Sequence, residues 1–113
     1  MRIYKIVTAA VWHGALVNGR LEGMPVDLAD GYIHFSTAAQ LRETAARHFR
    51  GQGDLVLLAV ETDRLDAALK WEPARGGALF PHLYAALAVD LVALIAPMPL
   101  GEDGGHILPD EIP

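Results

Sequence analysis

In the stretch DGYIHFSTAAQ, residues Asp30 to Gln40, the pattern of a β-strand leads directly into the start signal of a helix. From Gly31 to Ser36 apolar and polar side chains alternate, which is typical of a strand with one buried face. Thr37 and Gln40 have the spacing of a capping box, in which each side chain bonds the backbone amide of the other residue. We therefore predict a strand over Gly31–Ser36 and a helix that begins directly after Thr37.

The predicted helix has one apolar face. Ala38, Leu41, Ala45 and Phe49 recur at three- and four-residue spacing, while the charged side chains point elsewhere. The GQG sequence at residues 51–53 ends the helix. A helix with such an apolar stripe is expected to pack on a sheet.

Regular elements are also predicted before this stretch. The β-branched and aromatic residues Ile3–Val7 form a strand, and Thr8 caps a helix over Ala9–Val17 that ends at Gly19. Residues 20–30 are punctuated by glycine, proline and aspartate. This segment is predicted to be a loop with a short extended piece.

The second half of the chain is predicted to be mostly extended. The expected segments are a central strand covered on both faces at Leu55–Val60, a short turn or helix at Asp63–Lys70, a flexible ARGG segment, an extended FPHLY segment at Phe80–Tyr84, a buried strand at Leu91–Ala96, and a covering strand or loop from Pro97. Strands and helices mix without strict alternation. We therefore predict a single α+β domain over residues 1–113, with a twisted mixed sheet and two or three helices.

Composition narrows the classes of function. The chain has 113 residues, 52% of them hydrophobic, a formal net charge of −5 and no cysteine. The acidic balance argues against a nucleic-acid partner, and the absence of cysteine excludes disulfides and thiolate chemistry. Asp90 interrupts the most apolar run, and the N-terminal residues lack the core of a signal peptide. We expect a cytoplasmic protein that binds a small molecule, with neither nucleic acid nor membrane as partner.

Polar residues on the predicted strand point to a binding site. In an extended segment Tyr32, His34 and Ser36 share one face, while the apolar residues between them face the core. Ser36 and Thr37 lie where this strand meets a helix N-terminus, whose free amides and positive dipole end suit an anion such as phosphate. His34 is therefore predicted to lie on the wall of a cleft.

The FPHLY segment repeats the arrangement of an aromatic residue two positions before a histidine. Phe80, His82 and Tyr84 lie on one side if the segment is extended, and they provide an aromatic surface for a base or a nicotinamide. Glu72, beside Trp71 in an apolar setting, is a candidate for a raised pKa and an acid–base role. No metal site is predicted, since no pair of histidines has metal-ligand spacing.

Structural interpretations of the same residues remain open. Either histidine alone can be a hydrogen-bonded structural residue, and the helix cap by itself explains Thr37. Glu72 can pair with Arg75 at the surface. The functional interpretation therefore depends on whether His34 and His82 lie close together in space.

Taken in order, the segments IYKI, DGYIHFSTAAQ, DLVLLAVE, WE and FPHLY resemble a bacterial family known as domain of unknown function number nine hundred and fifty-two. The resemblance runs from Ile3 to about Leu108. A more distant likeness is to the ADP-ribosyltransferase fold, which also includes the RNA 2′-phosphotransferases. That likeness implies a split α+β sheet around a nicotinamide-dinucleotide cleft, with the HFST residues His34–Thr37 along one wall.

The distant likeness also implies roles for particular residues. The catalytic glutamate of the transferases is matched by Glu72, and the histidine and arginine of the phosphotransferases by His34, His82 and Arg42. The early strand lacks the histidine or arginine that usually holds the cofactor ribose in this fold. The likeness therefore implies an ADP-ribosyl- or phosphotransferase-like site with an altered first strand.

On this basis we expect a protein that binds or transfers an ADP-ribose or dinucleotide-like group, with NAD or ADP-ribose as the candidate ligand. The catalytic candidates are His34, His82 and Glu72, and the ligand-binding candidates are Ser36, Thr37, Tyr32 and Tyr84. One alternative is a non-catalytic module that binds a nucleotide or another small metabolite. Another is a protein whose histidines are structural and which acts through an apolar interaction face.

Overall fold

The computed structural model describes residues 1–110 and 112 of the chain. These residues form the elements β1 (Arg2–Thr8), α1 (Ala9–Asn18), β2 (Arg20–Leu21), α2 (Pro25–Asp30), β3 (Ile33–His34), α3 (Ala38–His48), β4 (Leu55–Glu61), β5 (Leu69–Pro73), β6 (Leu79–Leu83), β7 (Leu87–Ala88) and β8 (Val92–Pro97). Short 3₁₀ turns lie at Thr62–Arg64, Arg75–Gly77 and Val89–Leu91. The fold class is α+β, as predicted.

The main sheet has the strand order β1-β4-β8, and both of its pairings are antiparallel. Leu57, Leu58, Ala59 and Val60 of β4 are all fully buried. Because successive side chains of a strand point to opposite faces, β4 is covered on both sides. The prediction of a central buried strand is confirmed.

Two smaller antiparallel sheets accompany the main sheet, with the orders β3-β6-β5 and β2-β7. A bridge between Tyr4 in β1 and Ser36 connects the β3-β6-β5 sheet to the main sheet. The sequence predicts one mixed sheet, whereas the strands of residues 1–110 form separate antiparallel sheets. The bridge extends no further because the chain turns into α3 directly after Thr37.

Hydrophobic cores lie on both faces of the main sheet. On one face α1 contributes Trp12 and Ala15. On the other face α3 contributes Leu41 and Ala45, two residues of its predicted apolar stripe. Alternate residues of β1 and β4 reach the two cores in turn. The prediction that α3 packs on a sheet is confirmed.

Both of the longer helices begin as predicted. The Thr8 hydroxyl accepts a hydrogen bond from the amide of Val11 at 3.1 Å. The Thr37 hydroxyl accepts from the amide of Gln40 at 3.2 Å, and the Gln40 side-chain oxygen accepts from the amide of Thr37 at 3.0 Å. The capping box is therefore confirmed. Within the described part of the chain, no helix is long and apolar enough to cross a membrane.

The six-residue helix α2 lies in the segment that is predicted to be a loop. Pro25 occupies its first turn, where a missing backbone N–H leaves no hydrogen bond unmade. Gly31 ends it in the left-handed region, with φ 87°. So short a helix shows too few turns for an apolar period to be recognised in the sequence. Its effect is to bury Asp27, which is 2% exposed.

The strands of the second half differ in extent and burial from the prediction. β5 begins at Leu69, inside the segment predicted as a turn or helix, and continues through Trp71 and Glu72. The sequence predicts that the strand at Leu91–Ala96 is buried, but β8 lies at the edge of the main sheet and its Ile95 is 52% exposed. An edge strand covered on one face shows alternating exposure, which the continuous apolar sequence of β8 hides.

We expect Thr37→Ala to lower the free energy of unfolding by about 1 kcal/mol, because it removes the oxygen that caps α3. Urea unfolding followed by circular dichroism measures the change. Thr37→Ser keeps the hydroxyl and is the matched control, for which little change is expected. Equal losses in the two variants would show that the methyl group, and not the cap, carries the effect.

Candidate functional site

The register of the β3-β6-β5 sheet brings the two predicted histidines together. His34 is the antiparallel partner of His82, and Glu72 is the partner of Phe80. Paired residues of an antiparallel ladder project from the same face, so the polar side chains of all three strands share one surface. The ring centroids of His34 and His82 are 5.4 Å apart.

The buried carboxylate of Asp27 holds His34. The Oδ1 atom of Asp27 lies 2.6 Å from His34 Nδ1 and accepts a second hydrogen bond from the backbone amide of His34 at 3.0 Å. Its Oδ2 atom lies 2.7 Å from Lys5 Nζ and accepts from the amide of Met24 at 2.6 Å. The ring and the backbone of His34 are therefore fixed by one group.

These contacts keep Asp27 ionised. Burial alone would raise the pKa of Asp27, but the hydrogen bonds from His34 and the charge of Lys5 outweigh it and lower the pKa to about 2. Asp27 is not among the predicted site residues, because its segment is predicted to be a loop. A usable signal is the proline at position 25, which marks a helix start two residues before the carboxylate.

A second carboxylate contacts the outer nitrogen of His34. Asp30 Oδ2 lies 2.9 Å from His34 Nε2. Asp30 precedes His34 by four residues in the sequence. Both ring nitrogens thus face a carboxylate oxygen, and both can donate only in the doubly protonated imidazolium form. Asp30 is about half exposed, whereas the Asp27 carboxylate on the inner side of the ring is fully buried.

Glu72 holds His82 in the same way. Its Oε1 atom lies 2.8 Å from His82 Nδ1 and accepts a hydrogen bond from the Tyr84 hydroxyl at 2.7 Å. The predicted raised pKa of Glu72 is wrong: the hydrogen bonds from Tyr84 and His82 lower it. Nε2 of His82 has no hydrogen-bond partner among the described residues, and the ring lines the cleft described below.

Tyr32 packs between the aromatic and histidine rings of this surface. Its ring centroid lies 4.6 Å from that of His34, 4.2 Å from that of His82 and 5.0 Å from that of Tyr84. The two tyrosine rings are stacked, with 23° between their planes. The structure therefore brings together five of the seven predicted site residues in one cluster of rings and carboxylates, namely Tyr32, His34, Glu72, His82 and Tyr84.

A cleft of about 710 Å³ opens beside the histidines. Its volume is in the range of small-molecule sites. The lining residues are Tyr4, Lys5, Ile6, Met24, Pro25, Val26, His34, Phe35, Ser36, Thr44, Arg47, His48, Phe49, Ala74, Arg75, Phe80 and His82. His34 and His82 thus face both the cleft and the ring cluster, whereas Tyr32, Glu72 and Tyr84 are outside the lining.

Of the two remaining predicted residues, Ser36 and Thr37, one lines the cleft and the other does not. Ser36 lines the cleft, but it is 4% exposed and its hydroxyl lies 3.0 Å from that of Thr44. Thr37 is outside the lining, and its hydroxyl caps α3. No group of three or more histidine and acidic side chains among residues 1–110 and 112 is arranged to hold a metal ion.

The fold and the site define a small α+β protein whose cleft is walled by two histidines, each held by a carboxylate. Residues 6–95 match the model of the family described as protein of unknown function (DUF952), and the chain belongs to this family. The family resemblance seen in the sequence is confirmed. The likeness to the ADP-ribosyltransferase fold stays a prediction.

Three solved structures of protein CC0527 from Caulobacter crescentus are similar to the chain. The crystal structure is 53% identical, covers 99% of this chain and 98% of that chain, and has a TM-score of 0.95. A double mutant is 51% identical with the same coverage and TM-score. The solution NMR structure is 55% identical over 92% of this chain and 90% of that chain, with a TM-score of 0.83. No curated protein matches the chain.

We expect Asp27→Asn to lower the free energy of unfolding at pH 7 by about 3 kcal/mol, because it leaves the Lys5 charge buried without its partner. The pKa of Asp27 is about 2 in the folded protein against an ordinary 3.8. Its carboxylate therefore stabilises the fold fully above pH 4 and loses this contribution as the pH falls toward 2.

The difference in stability between the two proteins should accordingly narrow between pH 4 and pH 2. Chemical denaturation at a series of pH values measures it. Asp63→Asn, at an exposed carboxyl, is the control and should follow the unchanged protein throughout. A difference that stays constant down to pH 2 would contradict the role given to Asp27.

We expect Glu72→Gln to lower the pKa of Tyr84 from about 12 toward the ordinary 10.0, because the hydrogen bond to an ionised carboxylate holds the phenol proton. A ¹³C NMR titration of labelled tyrosine measures this pKa. Glu61→Gln changes a carboxylate at the end of β4 that pairs with Arg2, and should leave the pKa of Tyr84 as it is. An unchanged pKa in Glu72→Gln would mean that the two side chains do not interact.

Proposed function

We propose that the cleft binds an ADP-ribose or dinucleotide-like group and that His34 and His82 contact its ribose. The observation that carries the proposal is the pair of facing histidines, each held by a carboxylate, at the wall of a cleft of ligand size. Carboxylate-held imidazoles are suited to orienting hydroxyl groups and to moving protons. The expected likeness to the ADP-ribosyltransferase fold points to the same ligand class.

His82 differs from His34 in that one of its ring nitrogens has no hydrogen-bond partner among the described residues. Its Nδ1 atom faces Glu72, so the ring can donate there while Nε2 accepts a proton or a hydrogen bond from the ligand. Glu72 is outside the cleft lining and acts through His82 as a positioning residue. Its lowered pKa keeps Glu72 an ionised hydrogen-bond acceptor, which fixes the orientation of the His82 ring.

In a transfer reaction the bond between the ribose anomeric carbon and its leaving base breaks, and the acceptor nucleophile bonds to the same carbon. His82 Nε2 takes the proton of the acceptor, while His34 and Ser36 hold the sugar. Tyr32 packs against the His82 ring with the ring planes tilted by 43°, and Tyr84 donates a hydrogen bond to Glu72, which holds the same ring. Thr37 is assigned to the helix cap instead of to the ligand.

The alternative is a module that binds the same ligand without turnover. The observation that favours it is the double carboxylate contact of His34, which leaves neither ring nitrogen free for proton transfer in the unliganded protein. An assay for turnover of the bound ligand distinguishes the transferase from the binding module. Release of nicotinamide from NAD over hours at high protein concentration would support transfer, and binding without release would support the module.

The proposal is tested by an amide chemical-shift titration of the labelled protein with oxidised NAD and with ADP-ribose up to millimolar ligand. Even a ligand bound by only about 4 kcal/mol is detected at that concentration. We expect shifts at residues 32–37 and 80–84. His82→Ala should weaken binding, whereas the control His13→Ala, on the exposed side of α1, should not. The absence of shifts with both ligands would overturn the proposal.

A further inference from the structure

The cleft is cationic, although the chain as a whole is acidic. Lys5, Arg47 and Arg75 line it together with His34, His48 and His82, and none of the described lining residues is acidic. The formal net charge of the chain is −5. A cleft that concentrates one sign of charge against the net charge of its protein attracts ligands of the opposite sign. The cleft is therefore built for an anion.

The positive charge of Lys5 is neutralised by a carboxylate, so an anion site is expected instead at the end of the cleft that carries Arg47 and Arg75. Lys5 Nζ lies 2.7 Å from the buried carboxylate of Asp27. At the other end, Arg47 and Arg75 have one carboxylate between them. This is Glu43, which is 61% exposed and lies 3.2 Å from Arg47 Nε and 3.9 Å from Arg75 Nη2. An excess of positive charge therefore remains at the arginine end.

Arg75 is held in a fixed position over the cleft. Its guanidinium carbon lies 4.9 Å from the centroid of the Phe80 ring, and its Nη2 donates to the hydroxyl of Thr44 at 3.2 Å. Its Nη1 lies 3.5 Å from Nε2 of His48. The side chain is only 20% exposed, so its charge is less screened by water than that of a surface arginine.

Arg75 at this end of the cleft is connected to the histidine strand through Thr44 and Ser36. The hydroxyl of Thr44 lies 3.0 Å from that of Ser36, and Ser36 is two residues along the extended chain from His34. Two residues of extended chain span roughly 7 Å. That separation matches a ligand whose anionic group and sugar are directly connected.

We propose that Arg75, with Arg47, His48 and Thr44, forms a phosphate subsite that takes the phosphate or diphosphate of a ribose phosphate. The tetrahedral, multiply charged phosphate suits guanidinium, imidazole and hydroxyl donors that converge from several directions. Placement of the sugar against His34 and His82 rests on the proposed function. The anion site itself rests on the cationic lining and on the position of Arg75.

The test uses inorganic pyrophosphate and ADP-ribose with the unchanged protein, Arg75→Gln, Arg75→Lys and the exposed control Arg64→Gln. Amide spectra confirm that each variant is folded, and a chemical-shift titration gives the affinity. Pyrophosphate should shift the amides around Thr44, Arg75 and Phe80. Arg75→Gln should weaken both ligands about tenfold or more, Arg75→Lys less, and Arg64→Gln not at all.

The outcomes separate the two proposals. Pyrophosphate binding that depends on Arg75, without any ADP-ribose binding, supports the subsite and overturns the proposed function. ADP-ribose binding that shifts the amides of His34 and His82 equally in Arg75→Gln supports the proposed function and overturns the subsite. Pyrophosphate shifts that are absent, or that are the same in Arg75→Gln, overturn the subsite as well.

Discussion

The carboxylate of Asp27 connects three segments of the chain. It contacts Lys5 in β1, the amide of Met24 before α2, and both the ring and the backbone of His34 in β3. A buried charge is tolerated only while its partners remain in place. The position of α2 against the main sheet and the orientation of His34 therefore depend on the same group, which couples the stability of the fold to the geometry of the site.

The register of the β3-β6-β5 sheet positions the remaining side chains of the site. It pairs His34 with His82 and places Glu72 on the same face as both rings. A shift of one residue would turn one of the histidines to the opposite face, because side chains alternate along a strand. The ring cluster and the cleft wall thus follow from a pairing that involves few residues of β3.

The cleft has two ends with different chemistry. At one end the histidines are held by carboxylates, an arrangement suited to hydroxyl groups and to proton transfer. At the other end Arg75 lies over Phe80 beside Arg47, with a single exposed carboxylate to balance the two charges. The proposed ligand, a sugar joined to a phosphate, has one part for each end of the cleft.

Local signals in the sequence predict the capping box at Thr37, the buried β4, and the alternation that places Tyr32 and His34 on one face of their strand and Phe80 and His82 on one side of theirs. The groups that hold the two histidines are set by contacts between distant elements. Asp27 lies on a helix too short to show a period, and Glu72 has a lowered pKa because donors from another strand reach it. Hydrogen bonds between distant elements leave no periodic pattern in a sequence, so they become visible only after the chain has folded.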